Sequence, residues 1–321
     1  MTGPGVLQPP LVVIAGITGT GKSALSLDLA EARIAAGQPA EIVNADSLQL
    51  YRGMDIGTAK VPIAERRGIP HHLLDVLEVT ETATVAQYQS TARSVIAALR
   101  GRGVLPILVG GSGLYLRAVV SDLEFPGSSA ELRELLESEL AAEGPEQLWR
   151  RLRREDPVAA ERIEHTNSRR VIRALEVITL TGRPYAAALP SQPRDAVPTV
   201  QFFLDGDRER LKQRLRDRAE GIWSGGLLEE TRDLVGRGLR IGQTARQAIG
   251  YAQALAVLDG TLSYSDAVAD TIAATWRYAR RQRSWFARYR FLHRLDWERD
   301  DLLETVQGVV NGKYDGPHGG D

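Results

Sequence analysis

Residues 11–29 read LVVIAGITGTGKSALSLDL, and this stretch limits what the chain can fold into more than any other. Residues 11–15 form a short apolar, β-branched run with the character of a buried strand. Then come Gly16, four residues, Gly21, Lys22 and Ser23, which is the GxxxxGK[ST] spacing of a phosphate-binding loop, and helical character continues through residues 24–30. Strand, glycine turn and helix are the context that this motif requires. Glycines let backbone N–H groups curl around an anion, the new helix points its positive end at it, and the lysine adds a full charge. Gly16, Ile17, Thr18, Gly19, Thr20, Gly21, Lys22 and Ser23 are therefore the expected anion cradle, with the Ser23 hydroxyl placed for a Mg²⁺ that bridges phosphates. A glycine turn without a ligand is the bland alternative, but the chain has only four lysines, so a chance match is rare. The loop does not say whether its phosphate is transferred or leaves.

A loop of this type belongs at the carboxyl end of a strand in a parallel α/β sheet. Residues 41–45 and 104–109 read as further strands, ending at Asp46 and at Gly110, Gly111 and Ser112. Ligands of open parallel sheets bind outside the carboxyl ends of the strands, which puts Asp46 near the phosphate. An N-cap on the next helix is an equal reading of Asp46. The strand that ends at Gly110 lacks the acidic residue with which a P-loop ATPase holds Mg²⁺ and water, which weighs against a kinase. Residues 52–60 read as a loop and residues 84–99 as an amphipathic helix. His71 and His72 are adjacent, so they point in different directions, and no further ligand is evident; a hydrogen-bonding role is expected rather than a metal site.

From residue 121 the pattern turns helical and charged, over residues 131–142, 145–154 and 156–180, with Arg169, Arg170 and Arg173 close together. A proline-rich stretch, residues 182–198, leads back to a strand at 199–204. The expected organisation is a first part of the core in 1–121, a helical insertion in 122–198, completion of the core with arginine-rich helices in 199–310, and a disordered tail in 311–321. Arg210, Arg214 and Arg218 share one face of a helix over 208–219, broken at Gly221, Gly225 and Gly226. Residues 266–294 read as one long helix. Within it Arg277, Arg280, Arg281 and Arg288 cluster on one face, and Trp285, Phe286 and Tyr289 lie on another. The net charge of −1 hides this clustering; residues 271–295 carry seven arginines and no acid, which favours an RNA-like partner. The absence of cysteine excludes disulfides, thiolate zinc sites and a cysteine nucleophile. No apolar run approaches a membrane span, and a cytoplasmic protein with no membrane partner is expected.

The segments GITGTGKS, NADSLQLYRGMDIGTAK, PHHLLD, LVGGSGLY, RALEV, AIGY and RRQRSWF, in this order, closely resemble the bacterial tRNA dimethylallyltransferase (tRNA isopentenyltransferase) family over residues 11 to about 295. The resemblance implies a P-loop kinase-like α/β core with a helical insertion and a C-terminal helical region. It implies transfer of a dimethylallyl group from dimethylallyl diphosphate to N6 of adenosine 37, next to the tRNA anticodon, with Mg²⁺ as cofactor. Asp46 matches the family's base, Lys22, Ser112 and Arg218 match catalytic positions, and the phosphate loop holds the leaving diphosphate. Along the RNA path the resemblance implies Asp46, Ser47, Leu48, Gln49, Ser112, Arg133, Arg169, Arg170, Val171, Ile172, Arg173, Arg246, Gln247, Gly250 and Tyr251. The insertion would grip the anticodon stem of a tRNA bound by a monomeric enzyme.

Overall fold

In a computed structural model, the described residues are 8–122, 125, 127, 129–185, 195–289 and 293–312. The tail expected at 311–321 falls, from residue 313 onward, outside them, as does Arg290. The apolar run after the amino terminus forms β1 (Leu11–Gly16), buried along its whole length, and the phosphate loop opens directly into α1 (Lys22–Ala35). β2 (Ala40–Asn44), the two-residue β3 (His71–His72), α2 (Val85–Gly101) and β4 (Leu105–Gly110) follow. α2 begins where the Thr84 hydroxyl accepts from the Gln87 N–H, which satisfies an otherwise unpaired donor of the first turn. After α3 (Gly113–Val120), α4 (Ala130–Glu143), α5 (Pro145–Glu155), α6 (Pro157–Arg162) and α7 (Ser168–Thr181), the sheet resumes with β5 (Thr199–Asp205).

The six strands pair in parallel in the order β3-β2-β4-β1-β5-β6, where β6 is His293–Asp296. β1 therefore sits between β4 and β5. Its own connection leads to one side of the sheet and that of β4 to the other, so the strand order reverses between β1 and β4. The crevice at such a reversal is where open α/β sheets bind ligands, and here both strands end in glycine turns.

Residues 8–119 and 197–312 make one compact unit and 120–185, with 195 and 196, the other. In the first, one apolar cluster joins Val12, Ile14, Leu27, Leu29, Ile107 and Phe202 around the sheet. A second joins Tyr51 and Met54, from the stretch after β2, to Trp223 on α8 (Arg208–Ser224), Leu227 and Leu234 on α9 (Leu227–Gly236) and Tyr251 on α10 (Tyr251–Leu258). The loop expected at 52–60 is thus one wall of a core. The second unit has its own cluster, Leu136, Leu148, Leu152, Val171, Ile172 and Leu175.

The helix expected over 156–180 is two, α6 and α7, because the chain is extended at Ile163 and Asn167 caps a new helix by accepting from the Arg170 N–H at 3.3 Å. Two further helix boundaries differ from the sequence expectation. α8 (Arg208–Ser224) runs through Gly221 and stops at Gly225 and Gly226, because Trp223 is buried and donates its indole N–H to the Thr271 hydroxyl at 3.0 Å. α11 (Tyr264–Phe286) ends eight residues before Arg294. There the chain turns, the Arg294 guanidinium donates to the Phe286 carbonyl at 2.6 Å, and residues 293–296 fill the sheet edge beside β5. Arg288 lies past the helix end and does not share a helical face with Arg277, Arg280 and Arg281. Among the described residues no helix is long and apolar enough to cross a membrane.

Candidate active site

Above the ends of β1, β2 and β4 lies a cavity of about 220 Å³. The phosphate loop contributes Thr18, Gly19, Gly21, Lys22 and Ser23; β2 and its extension contribute Asn44, Asp46 and Gln49; β4 contributes Gly110 and Gly111. α8 supplies Arg214 and Arg218, and α11 supplies Tyr278 and Gln282. Gly19 and Gly21 take φ of 86° and 79°, the left-handed region open to glycine, and this curls the loop.

Lys22 is held over the loop by donating to the Ile17 carbonyl at 2.7 Å, which also accepts from the Thr20 hydroxyl at 2.8 Å. Burial, helped by the nearby Arg218, pushes the Lys22 ammonium down to about 7, and the charge of Asp46 works the other way. Arg218 is open to water at the cavity mouth yet surrounded by protein, and this enclosure, with Arg214, holds its guanidinium below the ordinary value against the pull of Asp46. Arg210, Arg214 and Arg218, one turn apart on α8, meet different fates. Arg210 pairs with Glu298 at 2.8 Å, Arg214 lies over the Trp297 ring at 4.6 Å, and Arg218 faces the cavity.

Asp46 is aimed by Asn44. This buried side chain donates to the carbonyls of Asp46 at 3.0 Å and Leu73 at 2.9 Å, and accepts from the Asp46 N–H at 3.0 Å. The Oδ1 of Asp46 accepts from the Leu48 N–H at 3.0 Å, so an N-cap-like turn and a cavity-facing carboxylate coexist. Among the described residues its Oδ2 has no hydrogen bond. Burial and then, after Tyr115 for Tyr88, the Asp46 charge push the Tyr88 and Tyr278 phenols up, so both stay neutral hydrogen-bonding groups at physiological pH. Neither tyrosine is marked by the sequence motifs.

The glycine turn after β4 has a packing reason at three positions. A Cβ on Gly110 would come 2.5 Å from the Ala45 carbonyl, one on Gly111 2.3 Å from the Gln282 amide, and one on Gly113 2.0 Å from the Trp285 indole. LVGGSGLY and RRQRSWF, far apart in sequence, are thus two halves of one contact. Ser112 does not line the cavity; its carbonyl accepts from Leu116 N–H at 3.0 Å at the start of α3.

The other residues expected along an RNA path divide by burial. Gln49 lines the cavity and donates to the Thr58 carbonyl at 3.2 Å, while Ser47 and Leu48 are half-buried beside it. Arg169 and Arg170 are exposed on α7, and Arg246 and Gln247 are exposed before α10 (Tyr251–Leu258). Val171 and Ile172 are core residues of the helical unit, and Tyr251 is fully buried with its hydroxyl on Glu230 at 2.6 Å, so these three side chains offer no surface to RNA. Gly250 is buried and donates to the Gln253 side chain at 2.8 Å. Arg133 and Arg173 are both tied at 2.7 Å to the buried Glu176. Glu230 in turn accepts from the N–H groups of Asp55, Ile56 and Gly57, which fixes the loop that carries Thr58 and Ala59 into the cavity. His71 bonds the Ile69 carbonyl and His72 bonds Glu41, so both histidines have the hydrogen-bonding role expected of them.

Residues 49–289 match the sequence pattern of the IPP transferase family. The chain belongs to the IPP transferase family. The match starts after the phosphate loop, so it is independent of that motif. The chain is 55% identical over 295 residues to the tRNA dimethylallyltransferase of Clavibacter sepedonicus, covering 92% of this chain and 96% of that protein. It is 50% identical over 300 residues to that of Thermobifida fusca, covering 94% of each. Among IPP transferases of known structure, the tRNA isopentenylpyrophosphate transferase of Bacillus halodurans matches with a TM-score of 0.67 and 36% identity, covering 95% of this chain and 96% of that one. A eukaryotic dimethylallyltransferase acting on tRNA matches with a TM-score of 0.79 and 27% identity, over 94% of this chain and 78% of that one.

The donor set of the cavity suits one class of metal. Among the described residues no three or more His, Cys, Asp and Glu side chains gather to hold an ion by themselves. The Ser23 hydroxyl and the Asp46 carboxylate are among the side-chain oxygens of the cavity lining, with Thr18 and Thr58, and a Cβ on Gly21 would meet nothing within 4 Å. A few hard oxygens beside open space fit Mg²⁺ carried largely by water and phosphate.

Proposed function

We propose that this protein transfers a dimethylallyl group from dimethylallyl diphosphate to N6 of adenosine 37 in the tRNA anticodon stem-loop. The observation that carries the reading is the convergence of Asp46, the phosphate-loop Lys22 and Arg218 in one cavity. The reaction forms a bond between N6 and the allylic carbon and breaks the bond from that carbon to the diphosphate oxygen. Negative charge builds on the departing diphosphate, and the loop amides, Lys22 and Arg218 stabilise it where it develops. A bound Mg²⁺, held through Ser23, would neutralise part of the same charge. Adenine N6 is a weak nucleophile because its lone pair is delocalised into the ring, and Asp46, aimed by Asn44, takes its proton. The target base has to leave its stack to enter the cavity. Ser47, Gln49, Ser112, Arg246 and Gln247 of the core, and Arg169 and Arg170 of the helical unit, are proposed to contact the RNA. The protein is proposed to act as a monomer in the cytoplasm, where its tRNA substrate is made.

The deciding experiment incubates the protein with Mg²⁺, radiolabelled dimethylallyl diphosphate and either unmodified tRNA or AMP. Label in tRNA alone is expected. Label in AMP would make the acceptor a free nucleotide, and no label transfer together with ATP turnover in a parallel incubation with ATP would make the protein a kinase.

A further inference from the structure

Gln282 is buried on α11, and both ends of its side-chain amide are engaged. Its Oε1 accepts from the Thr18 N–H at 2.9 Å, and its Nε2 donates to the Gly111 carbonyl at 2.8 Å. A phosphate loop holds its anion with backbone N–H groups along the loop and at the helix start. In this loop the Thr18 amide is taken by Gln282, and the Thr20 amide turns back on the Ile17 carbonyl at 3.3 Å. Among the described residues the amides left to an anion are those of Gly19, Gly21, Lys22, Ser23 and Ala24, most of them at the helix end beside Lys22 Nζ and Arg218.

A longer phosphate chain that begins at the helix end has to extend along the loop towards Thr18, the direction in which further loop amides exist. Gln282 stands there. It is wedged against the turn after β4, since a Cβ on Gly111 would come within 2.3 Å of its Nε2. Displacing it would cost the buried Gly111 carbonyl its donor at the same time, and a buried polar group without a partner is expensive.

We propose that Gln282 sets the length of the anion that the phosphate loop accepts, admitting two linked phosphates and excluding three. It is a specificity-determining residue, and the inference deepens the reading of the site as a diphosphate site, on which it rests.

Titration calorimetry on the full chain with Mg²⁺ and without tRNA tests it, using inorganic diphosphate and inorganic triphosphate as probes. The wild-type protein is expected to bind diphosphate at least ~10-fold more tightly; equal affinities would overturn the proposal without any variant. Gln282→Met keeps the volume of the side chain and frees the Thr18 amide. It should gain ~10-fold in triphosphate affinity while diphosphate affinity moves less than ~3-fold. An unchanged ratio in a folded Gln282→Met protein would overturn the assignment to Gln282. Gln282→Glu keeps an acceptor towards Thr18 and adds negative charge, so it should weaken both anions and triphosphate more; if Gln282→Met does not fold, a ratio that fails to widen in Gln282→Glu decides against the proposal. Failure here is separable from failure of the transfer reading: a protein that prefers diphosphate but labels no tRNA loses only the latter, and one that labels tRNA but binds both anions alike loses only the former.

Discussion

In the helical unit, Arg133 and Arg173 converge on Glu176, a carboxylate with no exposed surface, at 2.7 Å each. In the cavity, Lys22 and Arg218 face Asp46, yet among the described residues no ion pair joins Asp46 to either of them. The first place holds two cations and one carboxylate, and the second holds three cations, Lys22, Arg214 and Arg218, and one carboxylate. In the first, burial pushes the Glu176 carboxyl up, and the hydrogen bonds from Arg173 and Arg133 more than reverse this, holding it below its ordinary value. In the second, it is a cation whose charge is hard to keep, since Lys22 is pushed down to about 7. In the helical unit these three charges hold its own fold together. The cavity keeps a surplus of positive charge that an anion can satisfy.

The comparison breaks most sharply at Asp46. Asp46→Ala should lower kcat by about 10²–10⁴, the usual worth of a positioned general base, with tRNA affinity in a filter-binding assay changed little. Equal losses in both would make Asp46 a binding group. Lys22→Ala should lower kcat/KM for dimethylallyl diphosphate by about 10²–10³, the scale of losing one donor to a developing anion. In the helical unit the expected loss is of stability. Glu176→Ala takes from Arg133 and Arg173 their shared buried acceptor, while Arg173 keeps the Gly127 carbonyl, and should lower the unfolding free energy by about 1–3 kcal/mol, read by urea titration, with kcat retained.

Protonation separates the two places further. A Lys22 ammonium with its pKa near 7 is increasingly neutral above that pH, while diphosphate binding favours its charged form. KM for the diphosphate donor should therefore rise between pH 7 and 9, by at most about tenfold per unit, and Lys22→Arg should flatten that limb of the profile. Glu176, whose carboxyl is depressed in the folded state, contributes stability that is present above the unfolded carboxylate range and is lost as pH falls through its folded value. The smallest effect is expected at Tyr251→Phe. It removes the hydroxyl bond to Glu230 and should cost about 1 kcal/mol of stability, with Gln49 and Thr58 still in place.

Much of this was legible in the sequence because it was local. The phosphate loop, with its strand and helix, is a contiguous pattern, and Asp46 follows directly from the end of β2. The aiming of Asp46 by Asn44 spans only two residues, but a buried asparagine at the end of a strand carries no pattern of its own. Nothing in the sequence marks Gln282, a glutamine between Arg281 and Arg283. Its meaning depends on two partners 171 and 264 residues away. The end of α11 at Phe286 was missed because neither glycine nor proline stops it; the stop comes from Arg294 returning to the last carbonyl and from a sheet edge that needs a strand. The buried positions of Tyr251, Val171 and Ile172 follow from tertiary packing, which a motif assigned to an RNA path does not reveal.

The depressed Lys22 ammonium also has a consequence for reagents rather than substrates. The chain has four lysines. Lys60 is buried between Asp55 and Asp75, Lys212 is on the surface, and Lys313 lies outside the described residues. Near neutral pH, Lys22 spends a substantial fraction of its time as a free amine, the form that attacks acylating agents, whereas an ordinary surface lysine rarely does. An amine-directed probe at low stoichiometry should therefore mark the phosphate loop first, and an occupying anion, by restoring the proton, should shield it. The electrostatic stress that prepares the loop for a ligand also gives it a chemical address.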